Sequence, residues 1–128
     1  MLKLGQTHDS LKFICDQIGT PTYAKDLAID IMNIIQSQVF IRADFKTDII
    51  HYSNEGVCSW YDFAKTILRL RNIQCRISPT ETTNYPTPAR RPHYSVLDKS
   101  KIKRLYDLEI PYWKDSVKRC LIALQDKI

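Results

Sequence analysis

Residues 51–71 read HYSNEGVCSWYDFAKTILRLR and contain the most clearly marked helix start in the chain. Ser59 and Asp62 are three positions apart, which is the spacing of a capping box, where each side chain bonds the other residue's backbone N–H. Apolar residues follow at helical spacing from Trp60 to Leu68. The stretch therefore predicts a helix that begins at Ser59.

Outside this helix, short apolar runs predict strands and longer periodic runs predict further helices. The predicted strands are 11–15, 39–41, 49–53 and 73–77. The further predicted helices are 23–37, 99–106 and 112–125. Thr20 or Thr22 is the expected cap of the first of these helices, and Asp44 and Lys46 lie in a polar link between the second and third strands. The pattern predicts a small mixed α/β fold of short strands and about four helices.

Length and composition fit one folded domain. The chain has 128 residues, of which 44% are hydrophobic and 26% are charged, and these values are ordinary for a globular domain. We therefore expect residues 1–128 to form a single domain, with a proline-rich loop at 78–93. The four cysteines lack metal-site spacing, so we expect buried reduced thiols and no metal ligands. No apolar run is long enough to cross a membrane, and we expect a cytoplasmic protein.

The glycine content excludes one class of site. Only Gly5, Gly19 and Gly56 are present, whereas dinucleotide and phosphate loops need closely spaced glycines so that the backbone can wrap the phosphate. Tyr61 and Lys65 have the Tyr-x-x-x-Lys spacing of a pair that transfers a proton to a carbonyl. With seven tyrosines in the chain, such a match arises easily by chance, and we interpret the two residues as neighbours on a helix flank.

The charge balance favours an anionic partner. Nineteen basic and fourteen acidic residues give a net charge of +5, which fits nucleic acid, a membrane surface or a phosphorylated small molecule. Arg90 and Arg91 are the best anion candidates, because guanidinium groups on a proline-stiffened loop can bind phosphate through two hydrogen bonds. Tyr85 and Tyr94 flank this pair and could stack on a planar base. From the residues alone, a solvated loop is the competing interpretation.

The three histidines stand in unrelated contexts. His51 lies inside a predicted strand and is interpreted as a hydrogen-bonded core residue. His93 lies in the proline-rich loop and is the better site candidate.

Four ordered motifs give the chain a family resemblance. They are DQIGTPTYAKDLA at 16–28, HYSNEG and SWYDFA between 51 and 64, YPTPARRP at 85–92, and SVLDKSK at 95–101. Together they resemble the C-terminal part of the dTDP-4-dehydrorhamnose reductases, which are extended short-chain dehydrogenases/reductases. The resemblance covers nearly the whole chain and implies a sugar-nucleotide substrate-binding lobe without the family's Rossmann half.

The resemblance also implies an activity for the intact enzyme. Members of this family reduce dTDP-4-dehydro-L-rhamnose to dTDP-L-rhamnose with NADPH or NADH, in rhamnose and cell-surface polysaccharide biosynthesis. Their cofactor turn and catalytic Tyr-x-x-x-Lys lie upstream of the part that matches. We therefore expect no cofactor bound by this chain, no catalytic residue within it and no turnover by the isolated chain.

Site residues follow from the same resemblance. Arg91 matches the arginine that related enzymes place on the nucleotide-sugar pyrophosphate, with Arg90 as a weaker neighbour, and residues 17–22 match a segment that shapes the substrate pocket. The predicted substrate-binding residues are Gln17, Thr20, Thr22, Arg90, Arg91 and Tyr94.

The expected partners are a dTDP-sugar, a companion cofactor-binding half and, as a further candidate, a second copy of the chain in a homodimer. A non-catalytic binding or regulatory module is the alternative function, since relatives of the family include a regulatory subunit of methionine adenosyltransferase. Nucleic-acid binding through the basic surface is a third hypothesis, and it predicts steep salt dependence. We expect neither nucleic acid nor a membrane among the partners.

Overall fold

The computed structural model describes residues 1–41 and 47–125, and within them six α-helices and four short strands. The helices are α1 (Leu2–Thr7), α2 (Ala24–Gln36), α3 (Gln38–Ile41), α4 (Trp60–Leu70), α5 (Ser100–Tyr106) and α6 (Trp113–Gln125). The strands are β1 (Ser10–Ile14), β2 (Ile18–Gly19), β3 (Cys58–Ser59) and β4 (Arg76–Thr80), and a 3-10 turn follows at Thr82–Asn84. The predicted mixed α/β class is confirmed, and the four predicted helices correspond to α2, α4, α5 and α6.

Contacts along the chain define two compact units, each built from two separate stretches. The first unit comprises Met1–Pro21 and Val57–Val96, and the second comprises Thr22–Gly56 and Leu97–Ile128. The proline-rich loop belongs to the first unit.

In the first unit, β1 and β4 pair in parallel, with Phe13 opposite Pro79. Helix α4 packs on this pair and buries Ala64, Ile67 and Leu68. These three residues lie on one stripe of the helix, as the periodic pattern predicted. The apolar core of the first unit therefore lies between α4 and the strand pair.

The capping box at the start of α4 is confirmed. The Ser59 hydroxyl accepts a hydrogen bond from the backbone N–H of Asp62 at 3.1 Å, and the Asp62 carboxylate accepts one from the backbone N–H of Ser59 at 3.1 Å. Both bonds satisfy N–H groups that have no partner inside the helix.

The second unit contains a buried polar group that we call the Asn54 cluster, formed by Asp26, Asn54, Ser116 and Arg119. Asn54 is fully buried, and its Nδ2 lies 2.9 Å from both Asp26 Oδ2 and Ser116 Oγ. Arg119 donates to the same Asp26 oxygen at 2.8 Å. The N-cap residue of α2 is Tyr23, and its backbone N–H donates to Asn54 Oδ1 at 2.7 Å. The prediction of Thr20 or Thr22 as the cap is therefore wrong.

Helix α2 turns its acidic residues inward. Asp26 and Asp30 are buried, whereas Ile29 and Met32 are about half exposed. The Tyr52 hydroxyl donates to Asp30 at 2.7 Å. The pKa of Tyr52 is raised well above its usual range. Burial of the phenol is the larger cause, and the hydrogen bond to the Asp30 carboxylate is the next.

Two predicted strands are wrong. Residues 39–41 lie in α3, because the Ser37 hydroxyl accepts the backbone N–H of Phe40 at 3.2 Å and starts a new helical turn. Residues 49–53 form no strand, and Lys101 donates to the Ile49 carbonyl at 3.1 Å in place of a neighbouring strand. His51 is exposed, so its interpretation as a core residue is also wrong. The predicted link through Asp44 and Lys46 lies outside the described residues.

Two further boundaries differ from the prediction. Strand β4 runs through Pro79, where the sequence predicted a loop, and a two-stranded pair tolerates proline because each strand has an unpaired edge. All four cysteines are free thiols, but only Cys58 is buried, and the other three are partly exposed. No helix in the described ranges, 1–41 and 47–125, is long and apolar enough to cross a membrane.

Candidate functional site

The candidate site is a cavity of about 730 Å³ in the first unit. The lining residues are Ile14, Gln17, Ile18, Gly19, Thr20, Pro21, Cys58, Ser59, Trp60, Phe63, Thr87, Arg91, Pro92 and Ser95. Three parts of the unit therefore form its walls: the segment after β1, the start of α4, and the proline-rich loop. The volume falls within the roughly 300 to 1,000 Å³ that is typical of small-molecule sites.

Backbone hydrogen bonds to Ile18 hold these parts together. Strand β2 pairs antiparallel with β3, and Ile18 lies opposite Ser59. The backbone N–H of Ile18 also donates to the His93 carbonyl at 2.8 Å, and the backbone N–H of Ser95 donates to the Ile18 carbonyl at 2.9 Å. One short strand therefore joins the helix start to the end of the proline-rich loop.

The other end of the loop is anchored by Asp16 and Gln17. The Asp16 carboxylate accepts hydrogen bonds from the Thr82 hydroxyl at 2.7 Å and from the Thr82 backbone N–H at 3.0 Å. The hydroxyl bond is the main reason why the pKa of Asp16 lies below its usual value. Gln17 Nε2 donates to the Thr82 hydroxyl at 3.0 Å, and His93 Nδ1 donates to the Asp16 carbonyl at 3.0 Å. Both ends of the loop are thus fixed to the same wall.

Arg91 is the one charged residue among the lining residues that the structure describes. Its guanidinium forms no hydrogen bond or ion pair with any residue in 1–41 or 47–125. Two lysines of the second unit do have acidic partners: Lys99 and Lys103 lie 3.8 Å and 3.0 Å from Glu55 carboxylate oxygens. Since a guanidinium binds phosphate through two parallel hydrogen bonds, the cavity can bind an anionic ligand.

The cavity lining includes three of the six predicted substrate-binding residues, Gln17, Thr20 and Arg91. Arg90 and Tyr94 are outside the lining, and the Tyr94 side chain is 66% exposed. Thr22 belongs to the second unit.

Sequence reasoning did not assign Trp60 or Phe63 to the site. The sequence pattern placed both on the apolar stripe of the helix without a binding role, and both line the cavity from the first turns of α4. The available signal was their position beside the capping box, where a helix end meets a loop. Thr87 and Ser95 lie within two of the family motifs, but local patterns gave them no binding role, because the backbone bonds that bring their loop to the cavity come from residues far away in sequence.

Two of the three glycines, Gly5 and Gly56, provide no cradle for a dinucleotide. A Cβ on Gly5 would lie 2.5 Å from Leu68 Cδ2, and the corresponding space at Gly56, where φ is +82°, is filled by the Tyr112 ring. Side chains of this chain therefore occupy the room that a pyrophosphate turn needs at both positions. No step of hydride chemistry is assigned to the described residues.

The Tyr61 and Lys65 pair also lies outside the cavity lining. Lys65 Nζ is 5.4 Å from the centroid of the Tyr61 ring, one turn along α4. The two residues are neighbours on the helix flank, as the sequence interpretation expected. Within the described part of the chain, no three His, Cys, Asp or Glu side chains are placed to hold a metal ion.

Among the described residues, the site is a cavity of small-molecule size in a small α/β fold, and the Arg91 guanidinium in its lining has no partner there. Comparison with known families gives the particular class. Residues 1–126 match the family described as "RmlD substrate binding domain", and this chain belongs to that family.

Individual relatives confirm the resemblance that the four motifs indicated. The dTDP-4-dehydrorhamnose reductase of Sinorhizobium fredii is 34% identical to this chain. The alignment, 128 positions long, covers 97% of this chain and 43% of that enzyme. A crystal structure of a dTDP-4-dehydrorhamnose reductase from Clostridium acetobutylicum is similar with a TM-score of 0.86 and 38% identity, covering 97% of this chain and 42% of that one. The Bacillus anthracis reductase, solved in complex with NADP, gives a TM-score of 0.82 and 30% identity, with 95% and 40% covered. The chain spans less than half the length of each.

Proposed function

We propose that this chain is the substrate-binding part of a dTDP-4-dehydrorhamnose reductase and that its cavity binds the dTDP-sugar. The observation that carries the proposal is Arg91, which lines a cavity of small-molecule size without an acidic partner among the described residues. Family membership supplies the ligand class, because the relatives are named as reductases of a dTDP-sugar. The reaction proposed for the intact enzyme is reduction of dTDP-4-dehydro-L-rhamnose to dTDP-L-rhamnose.

Arg91 binds the pyrophosphate in this proposal. The pyrophosphate is the most strongly charged part of a dTDP-sugar, and Arg91 is the single cation of the lining as described. Pro92 follows directly in the chain and restricts the backbone beside it. Since the loop is also anchored at Thr82 and His93, little conformational freedom is lost when the guanidinium binds.

The reduction itself requires a group that this chain does not provide. NADPH or NADH supplies the hydride when bound, and we assign it, together with the catalytic Tyr-x-x-x-Lys, to a companion cofactor-binding part. Within this division, residues 1–128 act as one substrate-binding domain that orients the sugar nucleotide. The family match runs across both compact units, which supports treating them as one functional domain.

The isolated chain is therefore expected to bind the sugar nucleotide without reducing it. Calorimetric titration with dTDP should give saturable binding, whereas titration with NADPH should give no binding heat. Incubation with dTDP-4-dehydrorhamnose and NADPH should leave the NADPH unoxidised. Oxidation of NADPH by the pure chain would contradict the assignment of the cofactor and the catalytic residues to a companion part.

Addition of the companion part provides the complementary experiment. A cofactor-binding fragment prepared from a full-length reductase should restore NADPH oxidation when mixed with this chain. Sedimentation of the chain alone at two concentrations tests the homodimer as the other assembly. A protein partner that binds the chain while dTDP produces no heat would instead support the regulatory module.

A further inference from the structure

Trp60 is an exposed aromatic residue at the edge of the cavity. It is the first residue of α4 and lines the cavity, and 50% of its surface is exposed. The other tryptophan of the chain, Trp113, is only 1% exposed. A large aromatic ring that remains accessible in a mainly apolar cavity with one guanidinium is a common form of ligand contact.

The neighbouring ring does not cover the indole by stacking. The centroids of Trp60 and Phe63 are 6.4 Å apart, and their planes meet at 76°. An edge-to-face pair of this kind holds a ring in position, and Phe63 does not stack in parallel on a face of the indole.

The backbone of Trp60 is held firmly. Ser59 precedes it and forms the capping box with Asp62, and Ser59 also pairs with Ile18 in the β2–β3 ladder. The indole is therefore presented to the cavity by a helix start that is itself bound to the opposite wall. A pre-positioned ring loses little conformational entropy when a flat ligand stacks on it.

We propose that Trp60 is the platform on which the thymine base of the dTDP moiety stacks. The inference rests on the proposed function, in which Arg91 binds the pyrophosphate in the same cavity. Aromatic side chains are the common stacking partners of nucleobases, because every base has a π face.

The orientation of the dTDP-sugar in the cavity follows from the assignment of the cofactor to a companion part. The 4-keto carbon of the sugar must meet the cofactor, which the proposed function assigns to the companion part. The sugar end therefore extends away from the residues that this chain supplies for binding. The base end is left for the aromatic surface that lies within the cavity of this chain, and that surface carries Trp60.

Tryptophan fluorescence tests the proposal directly. The chain has two tryptophans, and a stacked base quenches indole emission. Saturation with dTDP should quench part of the emission of the wild-type chain. In Trp60→Phe, where only the buried Trp113 remains, dTDP should cause no quenching although it still binds.

Calorimetry separates stacking from a general loss of structure. Trp60→Ala should weaken dTDP binding by about 10-fold or more, and Trp60→Phe should weaken it less because a ring is retained. Binding of inorganic pyrophosphate should be unchanged in both variants and lost in Arg91→Ala. Trp60→Ala should keep the melting temperature of the wild-type chain, because the residue is half exposed.

Each contrary result has its own meaning. If wild-type chain gives no heat with dTDP, the proposed function fails. If dTDP binds through Arg91 but binds Trp60→Ala within twofold of wild type and quenches no emission, the function stands and the stacking proposal is wrong. If Trp60→Ala weakens dTDP-glucose but not dTDP, the indole contacts the sugar, and the proposal is again wrong.

Discussion

The cavity of the first unit and the Asn54 cluster of the second unit each contain an arginine, Arg91 and Arg119, but the two arginines have different surroundings. In the Asn54 cluster, the buried Asp26 carboxylate accepts hydrogen bonds from Asn54 and Arg119. In the cavity, Arg91 has no such partner in the described chain. Burial of a charge is costly unless the charge is paired, so removal of a partner from the first arrangement should destabilise the fold. An accessible, unpaired guanidinium in a concave site is available for a ligand.

This difference shows how structural polar residues can be separated from binding residues without a bound ligand. Substitution in the Asn54 cluster should lower the free energy of unfolding. Substitution of Arg91 should lower the affinity for dTDP and leave the free energy of unfolding unchanged.

The largest effect on stability is expected for Asn54→Ala. Asn54 has contacts with Tyr23, Asp26, Pro111 and Ser116, and its removal leaves buried polar groups without partners. The free energy of unfolding should fall by about 3 kcal/mol or more. Urea denaturation followed by circular dichroism measures this change as a lower midpoint at an unchanged slope.

The matched control for Asn54 is Asn33→Ala. Asn33 is exposed on α2 in the same unit, so its substitution should change the free energy of unfolding by no more than about 0.5 kcal/mol. Equal midpoints for the two variants would show that the Asn54 cluster does not stabilise the fold.

A smaller loss of stability is expected for Ser59→Ala. The variant removes the hydroxyl that caps α4, and the free energy of unfolding should fall by about 1 kcal/mol. Ser10→Ala, at an exposed position of β1, is the control and should leave the urea midpoint almost unchanged. A Ser59→Ala midpoint equal to that of the control would mean that the capping box is not needed for stability.

The smallest expected effect is the contribution of Asp16 to the pH dependence of the free energy of unfolding. Hydrogen bonds from Thr82 lower the pKa of Asp16 in the folded chain, so its contribution is present above the unfolded pKa of about 4 and is lost as the pH falls through the lower folded pKa. The free energy of unfolding of wild-type chain should therefore decrease more steeply on acidification below about pH 4 than that of Asp16→Asn. Urea midpoints across this range measure the two slopes, and parallel slopes would contradict the assignment.

Local signals were sufficient for the main helices. The Ser59 and Asp62 spacing predicted the start of α4, because a capping box depends only on residues three positions apart. The apolar periodicity likewise predicted α2, α5 and α6. Of the cavity lining, Gln17, Thr20 and Arg91 could be predicted from the motifs that carry the family resemblance, and their role in binding stays a prediction.

Features that depend on distant residues could not be predicted in this way. The N-cap residue of α2, Tyr23, is held by Asn54, which is 31 positions away, and neither local spacing nor composition shows such a partner. The strand-like run at 39–41 became helical because Ser37 starts a new turn there. Trp60 has the periodicity of a core residue, and only the folded chain shows that it borders the cavity.

The affinity of dTDP for Arg91→Ala tests the central claim most directly. The matched control is Arg76→Ala, which removes the same charge from an exposed position of the same unit outside the cavity lining. Calorimetric titration should show binding that is roughly 10- to 100-fold weaker for Arg91→Ala and unchanged for Arg76→Ala, with Arg90→Ala affected less than Arg91→Ala. Equal dissociation constants for wild type, Arg91→Ala and Arg76→Ala would show that this cavity is not the site of the sugar nucleotide.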